Sequence, residues 1–191
     1  VREIDERGLL HVMNEAIRQC AAWARAGLDM HVGLNISARD LLQPELPERF
    51  LGMLATHGCE AARITLEITE SAVVEDPRHA LATLERLRAT GCGLSIDDYG
   101  TGYSSLSYVR QMPVHELKID RSFVMHLVER PGDEIIVRST IELAHDMGLT
   151  VTAEGVEDEA TLQRLAALGC DLAQGYLVSK PLPAAALETW L

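Results

Sequence analysis

The segment LSIDDYGTGYSSL, residues 94–106, changes character halfway along its length. Leu94 and Ile96 are the apolar positions of a buried strand, after which Asp97 and Asp98 stand side by side and the chain passes into glycines and hydroxyl residues. Two adjacent carboxylates repel one another by about 4 kcal/mol at ~4 Å and an effective dielectric near ~20. A strand that ends this way needs something positive close by.

Working outward from that strand, the same alternation recurs in both directions. A helical pattern over residues 3–26 carries Ile4, Leu9, Val12, Met13, Ala16, Ile17, Cys20 and Trp23 at three- and four-residue steps, and the strand-like run HVGLNIS (31–37) follows. A helix is expected over 46–57, stopping at Gly58, before the strand RITLEIT (63–69). Asp76-Pro77 is an N-cap followed by proline at the first helical position, and it starts a helix with Leu81, Leu84 and Leu87 on one face that ends at Gly91. Beyond LSIDD (94–98) come a short helix over 106–111, the strand HELKID (115–120) and a helix over 133–147 that ends at Gly148. LTVTAE (149–154), a helix over 158–168 ending at Gly169, and DLAQGY (171–176) complete the alternation. Alternation of this kind predicts an α/β fold with parallel strands and helices packed outside them.

Polar residues interrupt each apolar strand at or near its C-terminal end: Asn35, Glu67, Asp97 with Asp98, Lys118 with Asp120, Glu154, and Gln174. In a parallel (β/α)8 TIM-like barrel all such ends open on one face, where the active site lies. A closed barrel needs eight strands and six are counted, while the chain begins inside a helical pattern without a cap. Either the sheet is open or one or two strand–helix units precede Val1; the second reading is favoured, with residues 1–191 forming a single, N-terminally incomplete domain.

Composition narrows the partners. Charged residues make up 24% and hydrophobic residues 47% of the 191 positions, as in an ordinary globular domain long enough to bury a core. A net charge of −12 and only 4% aromatics argue against a DNA or RNA polymer, which wants clustered cations and stacking rings. A small anion accompanied by cations stays compatible. Cys20, Cys59, Cys92 and Cys170 form no CxxC pair and read as small buried hydrophobes, the last three each following a glycine just before a strand-like run, in keeping with a reducing cytoplasm. No apolar run approaches the roughly 20 residues needed to cross a bilayer, although a parent protein with an anchor elsewhere is compatible with this.

Clustered carboxylates with the amide oxygen of Asn35 suit hard divalent cations, Mg²⁺ or Mn²⁺, which offset the mutual repulsion. Two such ions would form a clamp for displacement at phosphorus, with Asp97 as the bridging ligand. Lys118 supplies positive charge to nucleophile or phosphate, and Glu154 can take a proton from the attacking water. A Schiff-base role for Lys118 is disfavoured, because surrounding carboxylates hold an amine protonated.

At these residues the sequence resembles the EAL domain family, bacterial phosphodiesterases acting on cyclic di-GMP. LNIS (34–37), LEITES (66–71), DDYGTGYSSL (97–106), LKIDRSFV (117–124), AEGVE (153–157) and GCDLAQGY (169–176) follow in the family's order, with Tyr99 in place of phenylalanine. The resemblance implies a modified TIM barrel that hydrolyses cyclic di-GMP to linear pGpG with two Mg²⁺ or Mn²⁺ ions. It implies Asn35, Glu67, Asp97 and Asp98 as metal ligands, Lys118 as the catalytic lysine and Glu154 as the general base. Asp120 and Glu157 are implied as supporting residues, Gln174 as site-lining, and Glu70 as the anchor of the loop after Asp98. That loop is associated with dimer contact, so a homodimer is implied, as are regulatory domains in the parent protein. The Glu-Ala-Leu tripeptide and a substrate-contacting arginine are expected some tens of residues before Val1. The alternative reading is a non-catalytic cyclic di-GMP receptor or protein-interaction module, and the upstream glutamate discriminates between the two.

Overall fold

The structure, a computed structural model, describes residues 6–73, 76–101 and 106–191. In chain order the elements are α1 (Glu6–Arg25), β1 (Val32–Ile36), α2 (Ala38–Leu41), α3 (Leu46–His57), β2 (Ile64–Thr69), α4 (Pro77–Ala89) and β3 (Gly93–Tyr99). They continue with α5 (Leu106–Val109), β4 (Glu116–Ile119), α6 (Arg121–Val124), α7 (Pro131–Asp146), β5 (Thr150–Glu154), α8 (Glu159–Ala167), β6 (Leu172–Gln174) and α9 (Ala184–Trp190). The six strands lie in one sheet in chain order, and the pairs β1–β2, β4–β5 and β5–β6 are parallel. The α/β alternation expected from the sequence is the observed fold. By its internal contacts the chain divides into two compact units, Val1–Ile96 with Tyr103–Val114, and Asp97–Gly102 with His115–Leu191.

In the first unit the period-2 pattern of β2 is explicit: Ile64, Leu66 and Ile68 are buried while Thr65, Glu67 and Thr69 are half-buried on the opposite face. Leu34 and Ile36 of β1, and Leu94 and Ile96 of β3, are buried likewise. Met13 and Ile17 of α1, Phe50 and Leu54 of α3, and Leu84 and Leu87 of α4 complete this core, and α3 packs on both α1 and α4. Each such side chain contributes about 1.5–3 kcal/mol by leaving water. Burial departs from the expected helical faces at four positions, Ala16 of α1, which is half-buried, among them. Val12 is exposed, Trp23 is half-buried, and on α4 the buried stripe is Ala80, Thr83, Leu84 and Leu87, with Leu81 only half-covered. Ile4 lies outside the described residues.

The helix boundaries follow local chemistry. Asp76 accepts the His79 N–H at the start of α4, and Gly58, in a left-handed conformation (φ 65°), ends α3 by donating to Ala55 and Leu54 carbonyls. Short α2 was not anticipated. Ser37 reads locally as a strand end, yet its hydroxyl and Asp40 form a reciprocal capping box.

In the second unit Leu117 and Ile119 of β4, Val151 and Ala153 of β5, Val137, Ile141 and Ala144 of α7, and Leu165 of α8 are buried. Helix α7 packs on β4, β5 and α6. Asp171 ties the start of β6 to this core by accepting the Val151 N–H at 2.7 Å and pairing with His145 at 2.9 Å. The four cysteines are free thiols; Cys20 is buried within α1, Cys59 and Cys92 are buried, and Cys170 is only half-buried. No described helix is long and apolar enough to cross a membrane.

Candidate metal centre

Strand β3 delivers Asp97 and Asp98 into the second unit, and β5 delivers Glu154. One carboxylate oxygen from each of the three lies within 4.8 Å of the others. Lys118 of β4 is buried among them, its side chain 5% exposed, with Nζ 2.6 Å from Glu154 Oε1 and 3.6 Å from Asp97 Oδ1. Parallel pairing explains the placement: Lys118 aligns with Thr152, so Glu154 projects one pleat beyond the lysine on the same face. A single ammonium against three carboxylates leaves the cluster net negative.

Asp98 is the one non-glycine residue with positive φ among the described residues, at 54°. The left-handed backbone costs roughly 1 kcal/mol for an aspartate. It turns the chain immediately after Asp97, whose Oδ1 accepts the Asp98 N–H at 3.0 Å. Burial, followed by repulsion from Asp97, Asp120 and Glu154, pushes the Asp98 carboxyl above its ordinary pKa. Asp120 shares a hydrogen bond with Asp98 and goes the other way. Burial raises it, but the Ser122 hydroxyl and N–H together with Asp98 outweigh that and hold it below the usual range. Of the two, Asp98 is the carboxyl pushed toward its protonated form, and Asp120, the N-cap of α6, is the one held toward its ionised form.

Hard oxygen donors packed this tightly, with one member driven toward protonation by its neighbours, are the set a divalent oxygen-seeking cation fits. The donor chemistry excludes a soft-metal site, since no thiol or imidazole stands among the three residues.

The remaining second-unit residues border a cleft of about 170 Å³ next to Glu154, lined also by Arg121, Glu157, Gln174 and Tyr176. Gln174 pairs in register with Glu154, and Glu157 is exposed. Two close backbone approaches build the cleft. A Cβ on Gly155, whose φ is +73°, would lie 2.5 Å from Arg121 Cβ; one on Gly175 would lie 2.0 Å from the Val156 carbonyl oxygen. Val156 N–H donates to the Gln174 carbonyl and Leu177 N–H to the Val156 carbonyl, clipping the two turns together. Arg121 and Tyr176 were not singled out from the sequence. The only signal was adjacency, Arg121 following Asp120 and Tyr176 ending the GCDLAQGY segment.

In the first unit Asn35 and Glu67 are cross-strand partners in the β1–β2 register. The Glu67 carboxylate folds back over Gly33 and occupies the space a Cβ there would fill, 2.4 Å from Oε1. Glu70 is buried at the start of the 3-10 turn Glu70–Val73. The loop it is expected to anchor includes residues 102–105, Gly102 among them, which lie outside the described residues.

The profile of the EAL domain matches residues 5–181. The bifunctional diguanylate cyclase/cyclic di-GMP phosphodiesterase MucR of Pseudomonas aeruginosa is 41% identical over 174 residues, covering 91% of this chain and 25% of that protein. The chain thus spans about a quarter of the length of such curated relatives. Among solved structures, the c-di-GMP complex of the PaMucR phosphodiesterase superposes with a TM-score of 0.89 at 40% identity, over 93% of this chain and 72% of that one. The EAL domain of Mycobacterium smegmatis DcpA gives 0.90 at 40% identity, over 94% and 81%. Matched over nearly its whole length in sequence and backbone alike, the chain belongs to the EAL domain family.

Proposed function

We propose that this domain is a metal-dependent phosphodiesterase that opens cyclic di-GMP to linear pGpG. The observation that carries the reading is the carboxylate cluster of Asp97, Asp98 and Glu154 with Lys118 paired into it. The substrate is inferred from relatives named as cyclic di-GMP phosphodiesterases, MucR and PA2567 of Pseudomonas aeruginosa among them. Asp97 and Asp98, with Asn35 and Glu67, are the residues proposed to hold two Mg²⁺ or Mn²⁺ ions. Bound there, such ions supply charge neutralisation at phosphorus and an acidified water.

The chain's own residues do the rest. Asp97 and Asp98 present two carboxylates to one place from consecutive positions, because the left-handed turn at Asp98 breaks the strand alternation that would send them to opposite faces. Lys118, anchored on Glu154 and Asp97, supplies a fixed positive charge for the developing negative charge on the phosphate. Glu154, oriented through its bond to Lys118, accepts the proton of the attacking water. Asp120, hydrogen-bonded to Asp98, keeps it in position. Gln174 and Glu157 line the space where substrate would lie. The parent protein is read as cytoplasmic in this domain, dimeric, and governed by regulatory domains.

Mixing the protein with cyclic di-GMP and Mg²⁺ or Mn²⁺, and following products by chromatography, tests the reading. pGpG that disappears on adding EDTA is the expected result. Binding of cyclic di-GMP without product would overturn the enzyme in favour of a receptor, and absence of both would overturn the substrate.

A further inference from the structure

Ser95 carries a hydroxyl that the fold buries without an acceptor. The residue is fully buried on β3, and its Oγ is one of two buried side-chain oxygens without a hydrogen-bond partner among the described residues. A buried donor left unpaired costs free energy, and native proteins keep few of them. Its surroundings within the first unit point to an acceptor. Leu94 and Ile96 take the apolar side of β3, so Gly93 and Ser95 share the other face, as Thr65 and Glu67 do on β2. Strand β3 lies next to β2 and is joined to it by α4, the kind of crossover that links parallel neighbours. Gly93 stands against Thr65, where a Cβ would come 2.6 Å from Oγ1, and the next same-face position along each strand brings Ser95 beside Glu67. On its other side Glu67 aligns with Asn35, and its carboxylate rests over Gly33.

We propose that Ser95 is a positioning residue for Glu67, its hydroxyl donating to the Glu67 carboxylate once a divalent cation draws that side chain off Gly33, a role that rests on the metal reading proposed above. A carboxylate that ligates a cation through one oxygen keeps the other free to accept, and a donor there fixes the orientation of the ligand. Gly33 and Ser95 thus give Glu67 two resting places, one on each neighbouring strand. Only the second uses a hydroxyl; alanine at 95 would serve the first equally well.

Titration of wild type, Ser95→Ala and Ser95→Thr with Mn²⁺ tests this, read by the electron paramagnetic resonance signal of the unbound ion, with Tm measured in EDTA alongside. Loss of a hydrogen bond to a metal-ligating side chain predicts an Mn²⁺ affinity of Ser95→Ala lowered about tenfold to a hundredfold. The Tm of that variant in EDTA should equal or exceed wild type, because without metal the hydroxyl has no partner to lose. Ser95→Thr keeps the hydroxyl and should recover most of the affinity. Wild-type affinity in Ser95→Ala would overturn the proposal. So would a Tm in EDTA that falls along with the affinity, since the hydroxyl would then already serve the metal-free fold. A threonine variant as weak as alanine would overturn it too. Wild-type protein that takes up no Mn²⁺ removes the metal reading and this role with it, whereas uptake that Ser95→Ala leaves intact removes this role alone.

Discussion

Replacing Lys118 by methionine keeps the stem and removes the charge, and the structure gives the scale of the consequence. The ammonium is 5% exposed, lies 2.6 Å from Glu154 and 3.6 Å from Asp97, and those side chains are only 20% and 13% exposed. Solvent therefore screens this pair far less than a surface one, and removing one partner of a buried pair costs about 3–5 kcal/mol through the charge left behind. For a chain of this length each kcal/mol moves Tm by roughly 2–4 °C, so Lys118→Met should melt about 6–20 °C below wild type in EDTA. A divalent cation offsets the same stranded carboxylates, so Mg²⁺ should raise the Tm of the variant more than that of wild type. Turnover should be lost regardless, because the fixed positive charge is gone. Thermal unfolding by circular dichroism, with and without Mg²⁺, reads the first two effects. A Tm within about 1 °C of wild type in EDTA would show that Lys118 does not neutralise this cluster, and an equal Mg²⁺ response would show that the cation binds elsewhere.

Three other substitutions probe the same site. In Asp98 the folded-state pKa is raised, so the folded protein binds the proton more tightly than the unfolded chain and metal-free stability falls as pH climbs through the folded value. Asp98→Asn, which also tolerates the left-handed backbone, should flatten that decline and raise the neutral-pH Tm in EDTA; the same downward slope in the variant would contradict the repulsion argued here. Glu154→Gln should cut kcat by a hundredfold or more, with little change in cyclic di-GMP affinity, whereas a loss confined to affinity would remove it as base. Gly155→Ala places a methyl 2.5 Å from Arg121 Cβ at a φ of +73°, so a loss of about 1–3 kcal/mol by denaturant unfolding, with a raised KM, is expected.

The alternation of strands and helices, the caps at Asp76 and Gly58, and the acidic strand ends were all legible, because each is written in residues near one another in sequence. Periodicity reports which face of an element is apolar, and caps report where the backbone turns. The capping box of Ser37 and Asp40 was equally local but masked by its position at the end of a strand. Leu81 and Val12 were misjudged because an apolar residue at the right period is buried only if a neighbouring element reaches it.

Residue types alone marked Asp97, Asp98, Glu154 and Lys118 as chemically charged with purpose. Only tertiary structure decided that Lys118 pairs closely with Glu154, that Asp98 rather than Asp120 carries the raised pKa, and that Arg121 rests on Gly155. Those outcomes depend on atoms brought together from strands and turns tens of residues apart. Electrostatics and steric contact act through distance in space, and the linear order of residues does not encode that distance.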